Sequence, residues 1–113
     1  MNKIEEFELQ VSSNKISFKK LNEFLIGLKI NNNNHYAVSF DISDTELFVN
    51  NKKNVSWDLA VQNGTIINLI IPPNKSKTVM LPLGEAIFHN VGNYELKLVW
   101  NSQVKKRHVV VSE

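Results

Sequence analysis

Cysteine is absent from this chain, which rules out a disulfide framework, thiolate zinc sites and a cysteine nucleophile. Arginine is nearly absent too: Arg107 is the only one, set beside twelve lysines and eleven acidic residues. The formal charge of +2 gives no strong field, and a nucleic-acid reader would carry more arginine on a concentrated basic face. No apolar run approaches the roughly 20 residues of a membrane helix. The longest candidate, "IINLII" (66–71), is strand-sized and interrupted by Asn68. The opening "MNKIEEFELQ" has no apolar core of a secretory signal. A cytoplasmic location is the expectation if the chain is complete as given, and an exported one if a leader has been removed.

What is present suits a globular domain. The 113 residues fit one unit (1–113), with 42% hydrophobic and 21% charged residues spread along the whole length. The abundance of lysine, asparagine and isoleucine fits AT-rich codons and a low-GC bacterial source.

Hydrophobicity alternates with period two almost throughout. In "EFLIGLKI", Phe24, Ile26, Leu28 and Ile30 share one face; in "HYAVSFDI", Tyr36, Val38, Phe40 and Ile42 do the same. The asparagines Asn31–Asn34 between them predict a hairpin connection. "ELFV" (46–49), the turn "NNKKN", and "VSWDLAV" with Val55, Trp57, Leu59 and Val61 in phase continue the pattern as strands. "QNGT" (62–65) holds an Asn-Gly hairpin signal, with "IINLII" as the return strand. Pro72 and Pro73 end that strand, and "KSKTVML" (75–81) resumes extended structure. "GEAIFHN" is the one plausible helical turn, Tyr94–Trp100 the clearest strand and "RHVVV" (107–111) the last. "FELQVS" and "KISF" read as a first strand broken at Ser13–Asn14. About nine short strands at roughly 8–12-residue spacing define the expected fold class as an all-β, immunoglobulin-like antiparallel β-sandwich of about 7–9 strands. Its expected core is Phe24, Ile26, Leu28, Tyr36, Val38, Phe40, Trp57, Leu59, Leu96, Leu98 and Trp100.

Sites are harder to find. His35, His89 and His108 could each be drawn into a Ser-His-Asp set, but no GxSxG elbow supports any choice, and the chain reads as a non-enzyme. "DISD" (41–44) lacks the further ligands and glycine of a calcium loop, and no metal or cofactor is expected. Trp57 and Trp100 could form a sugar platform, yet each is in phase with aliphatic neighbours and reads as core. Lys19–Lys20, Lys52–Lys53 and Lys105–Arg107 read as solvated strand ends that discourage sheet pairing rather than as a nucleic-acid surface. The sequons at Asn54, Asn63 and Asn74 are the by-product of abundant asparagine.

Strict alternation of strand direction would gather Asn31–Asn34, Asn50–Asn54, Pro72–Asn74 and Asn101–Val104 at one end. Lys19–Asn22, Ser43–Thr45, Gln62–Thr65 and Pro82–Asn93 would lie at the other. Loop ends of a rigid sandwich are common binding surfaces, which marks Lys52, Lys53, Asn74, Lys105, Glu85, Phe88 and His89 as partner-binding candidates.

The stretch "IPPNKSKTVMLPLGEAIFHNVGNYELKLVW", together with "LKINNNN", resembles the closing half and second strand of bacterial immunoglobulin-like domains, in which a "PGxYxLxL" run leads into the final hairpin. Val91 stands where that pattern often has proline. Among named families the chain is similar in shape to the intracellular proteinase inhibitors of bacilli. That likeness implies an end loop occupying a protease cleft; no functional residue is carried over. The expected function is a non-catalytic module binding another protein, with no nucleic acid or membrane insertion and with an edge strand such as "RHVVV" able to pair with a second copy. The alternative is a carbohydrate-binding module.

Overall fold

A computed structural model of the chain describes residues 6–63 and 68–113. Strand β1 (Glu6–Val11), β3 (Ile26–Asn31) and β8 (Ser76–Leu81) form one antiparallel sheet in the order β1-β3-β8. A second sheet runs β2-β10-β9-β5-β6, from β2 (Lys15–Ser17), β10 (Gln103–Ser112), β9 (Gly92–Trp100), β5 (Glu46–Val49) and β6 (Lys52–Lys53). A third pair joins β4 (Val38–Asp41) to β7 (Asn68–Ile71). The result is an all-β, immunoglobulin-like sandwich, antiparallel except where β2 lies parallel to β10.

The inward faces follow from alternation. Phe7 and Leu9 of β1, Ile26, Leu28 and Ile30 of β3, Leu96 and Leu98 of β9, and Val109 and Val111 of β10 are all buried. Trp100 closes one end of this core, its ring edge-on to Phe7 at 5.9 Å and tilted against Phe40 at 4.9 Å. The break at Ser13–Asn14 is where the first strand changes sheets, β1 pairing with β3 and β2 with β10.

Four expectations are corrected. "VSWDLAV" is not a strand but the helix α1 (Val55–Asn63). Asn54 starts it as an N-cap, its side-chain oxygen accepting from the Trp57 amide at 2.8 Å. Trp57 and Val61, four apart, enter the core, whereas Leu59 is turned outward and is 58% exposed. The Gly64–Thr65 part of the Asn-Gly signal lies outside the described residues.

Second, Asn31–Asn34 is not a hairpin loop, because β3 and β4 belong to different sheets. The chain crosses over at Asn32, whose buried amide nitrogen donates to the carbonyls of Tyr36, Ile71 and Pro72 at 2.9–3.0 Å. Tyr36 consequently precedes β4 and is 41% exposed rather than in the core.

Third, strand direction does not alternate strictly. The turn Ile42–Thr45 carries the chain from β4 into another sheet, where β5 runs antiparallel to β9 with Glu46 opposite Val99 and Val49 opposite Leu96. Ser43–Thr45 therefore lies beside the Trp100 end of β9, and the Asn50–Asn51 turn lies at the opposite end.

Fourth, "RHVVV" is not a free edge along its whole length: β9 flanks it on one side, and Val110 and Val111 are already paired to β2 on the other.

Candidate recognition end

The helical turn α2 (Gly84–Ile87) follows β8 and delivers Phe88 into the core and His89 to the surface. Phe88 packs edge-on against Phe24 at 5.0 Å and against Tyr94 at 4.8 Å, so an aromatic ladder underlies the loop. The Tyr94 hydroxyl donates to the Asn90 carbonyl at 2.6 Å and accepts from the Asn90 amide at 3.3 Å. This is a tyrosine corner, as the "VGNYELKL" pattern implies. Gly92, at φ 153°, makes the bend from loop to strand in a region that side-chain-bearing residues avoid.

The β5–β6 hairpin stands beside that loop. Asn50 and Asn51 both have positive φ, at 50° and 66°, the geometry of a type I′ turn. The Asn50 side chain ties the hairpin to β9: its oxygen accepts from the Glu95 amide at 2.8 Å. Lys53 bridges Glu46 at 3.0 Å and Asp58 at 3.5 Å. The hydrogen bond to Glu46, then the charges of Asp58 and Glu46, push its pKa up from the ordinary lysine value.

His89 is the junction of three shallow grooves. One, with Phe18, Lys19, Asn22 and Glu85, runs along the 3-10 turn Phe18–Glu23. A second, of about 400 Å³, lies between His89 and the β5–β6 hairpin and includes Asn50, Lys52, Lys53, Asn54 and Asn90. A third passes Phe18, Lys19, Val91 and Glu113. Phe18 is 42% and Val91 49% exposed, so two apolar side chains flank the histidine.

Of the seven candidates, the structure brings five to this end: Lys52, Lys53, Glu85, Phe88 and His89. Phe88 is a buried support of the loop. Asn74 and Lys105 lie at the other end. Asn74, at φ 57°, sits third in a Pro72–Lys75 turn after Pro73, the arrangement of a type II turn. The Lys105 ammonium lies over the Phe7 ring at 5.7 Å. Lys105 pairs with Leu98 of β9, whereas Lys52 and Lys53 pair with Val49 and Phe48 of β5, so β9 and β5 lie between the two lysine groups, about 14 Å of sheet. The expected cluster of Lys52, Lys53 and Lys105 is thereby divided. Asn50, Asn54 and Val91 are not among the seven candidates; the hairpin position that makes Asn50 and Asn54 neighbours of His89 depends on the direction of β5.

Neither tryptophan forms a platform. Trp57 is fully buried and its indole nitrogen donates to the Thr45 hydroxyl at 3.0 Å, while Trp100 packs on Phe7 and Phe40.

No family model and no curated protein matches the chain. Among solved structures it is similar to a mutant β-glucosidase from Listeria innocua in complex with laminaribiose, with a TM-score of 0.52 and 15% identity over 96% of this chain. It spans only 16% of that protein's length. A weaker likeness, with a TM-score of 0.39 and 8% identity, is to an FMN-binding β-glucuronidase from Facaelibacterium prausnitzii; it covers 96% of this chain and 12% of that one. The first likeness defines the class: a β-sandwich of the kind found as one part of a larger chain.

Proposed function

We propose that the protein is a non-catalytic accessory module that binds another protein through the end of the sandwich centred on His89. The observation that carries this reading is the convergence of three grooves on one exposed histidine, flanked by Phe18 and Val91 and held by the tyrosine corner. A rigid loop presenting apolar, cationic and amide groups loses little freedom on binding, which favours recognition. Proteinase inhibition is the most specific form of this reading: His89–Val91 would enter the protease cleft, and titration would abolish protease activity at a fixed stoichiometry.

The test is native affinity purification of the tagged protein from the cells that make it. The reading expects a stoichiometric partner that is lost from the Phe18→Asp/His89→Asp double variant and kept by Lys105→Glu. Equal recovery with all three proteins refutes it.

Carbohydrate binding is the second reading, supported by the fold's likeness to part of a β-glucosidase solved with laminaribiose. With both tryptophans internal, it would rely on Phe18, His89 and the surrounding amides. Titration of the 15N-labelled protein with laminaribiose separates the two: saturable shifts at His89 and Val91 favour the sugar.

A further inference from the structure

The groove between His89 and the β5–β6 hairpin differs from its neighbours in charge. The ionisable side chains on its walls other than the Tyr94 phenol are Lys52, Lys53 and His89, and no carboxylate lines it. The groove beside it contains Glu85, and the third contains Glu113. Glu46 and Asp58, which bridge to Lys53, are not among the walls, and Lys52 makes no ion pair among the described residues. Its remaining polar surface comes from three asparagines.

These walls are also fixed before any ligand arrives. Asn50 anchors the hairpin to the Glu95 amide, Asn54 caps α1 through the Trp57 amide, and Tyr94 holds Asn90 by both backbone groups. Each tie uses a side chain on the groove to fix backbone, so the cavity is built by hydrogen bonds rather than left over between loops. Its volume of about 400 Å³ lies within the usual range of ligand sites.

We infer that this groove accepts a carboxylate-bearing segment of the partner protein, with Lys52 and His89 as the contacting groups. The inference rests on the protein-binding reading above and adds the chemistry of what is bound. Complementary charge at such a rim sets orientation and encounter rate, and its removal weakens the complex selectively.

The probe is capped hexaglutamate, titrated into the 15N-labelled protein, with capped hexaglutamine and trigalacturonate as comparisons. The expected result is saturable movement of the Asn50, Lys52, His89 and Asn90 amides with hexaglutamate and none with hexaglutamine. Lys52→Glu should weaken binding by about tenfold and Lys52→Gln by less, while Lys105→Glu at the other end should leave it within about twofold. Dispersed spectra of each variant establish that it is folded. Absence of saturable shifts, equal weakening by Lys52→Glu and Lys105→Glu, or binding of trigalacturonate but not the peptide overturns the inference. If hexaglutamate fails while a partner still depends on Phe18 and His89 in the purification, the acidic-segment inference falls and the protein-binding reading stands. If partner dependence fails as well, both fall.

Discussion

The Tyr94 hydroxyl closes a loop on Asn90, donating to its carbonyl at 2.6 Å and accepting from its amide at 3.3 Å. One side chain thus fixes the backbone on which His89 is displayed. Tyr94→Phe keeps the ring packed on Phe88 and removes only these two bonds. It should cost about 1 kcal/mol in urea denaturation, with faster amide exchange confined to His89–Val91. Unchanged exchange in that loop would mean that Phe88 alone holds it.

Thr45 occupies a similar position beneath α1. Its hydroxyl accepts from the Trp57 indole at 3.0 Å and donates to the Ile42 carbonyl at 2.6 Å, with both Thr45 and Trp57 buried. Thr45→Val leaves the buried Trp57 indole N–H without a partner, while the Ile42 carbonyl keeps its bond from the Thr45 amide, and should destabilise by about 2–3 kcal/mol. Thr45→Ser keeps both bonds and should cost about 1 kcal/mol for the lost methyl. Thermal unfolding of the pair gives the comparison; equal losses would contradict a polar role.

Asn32 tests the crossover. Its amide nitrogen faces three carbonyls, and its oxygen accepts from the Asn34 amide at 2.9 Å and side chain at 3.0 Å. Asn32→Asp replaces a donor with a charged acceptor against those carbonyls, in a site that is 1% exposed. A loss of about 3 kcal/mol or more is expected near neutral pH, partly recovered on acidification as the carboxyl takes up a proton and donates again. A variant as stable as the parent would show that the backbone path does not depend on this amide.

Lys53 gives a prediction in pH. Its pKa is raised in the folded state, so its contribution to stability is fully present below the ordinary lysine value of 10.5 and is lost as pH rises through the higher folded value. An NMR titration of the Lys53 side-chain carbons should give a midpoint above 10.5, and Glu46→Gln should lower it. A Lys53 midpoint at or below 10.5 would contradict the bridge in solution.

Much of this architecture is visible in the residues themselves. Alternation marks β3, β4 and β9; Ser13–Asn14 marks the change of sheet; and "VGNYELKL" marks the corner that holds the loop. The helix α1 is hidden because Val55, Trp57, Leu59 and Val61 satisfy period two while also forming two opposite helical stripes. Trp57 and Val61 are buried, and Val55 and Leu59 are exposed. The Asn54 cap was the available signal, but among so many asparagines it did not stand out. The direction of β5 was not legible either, since it follows from a crossover secured by Asn32, a long-range role that spacing does not encode. That one reversal moves Lys52 and Lys53 from the company of Lys105 to that of His89.

The central claim, that recognition occurs at the His89 end, is tested most directly by placing a photo-crosslinking amino acid at His89 in one protein and at Asn74 in another. Both positions are exposed and they lie at opposite ends. Irradiated in the cells that make the protein, the His89 version should yield a discrete covalent adduct with one other polypeptide, and the Asn74 version should not. An adduct from Asn74 alone, or none from either position, would contradict the account.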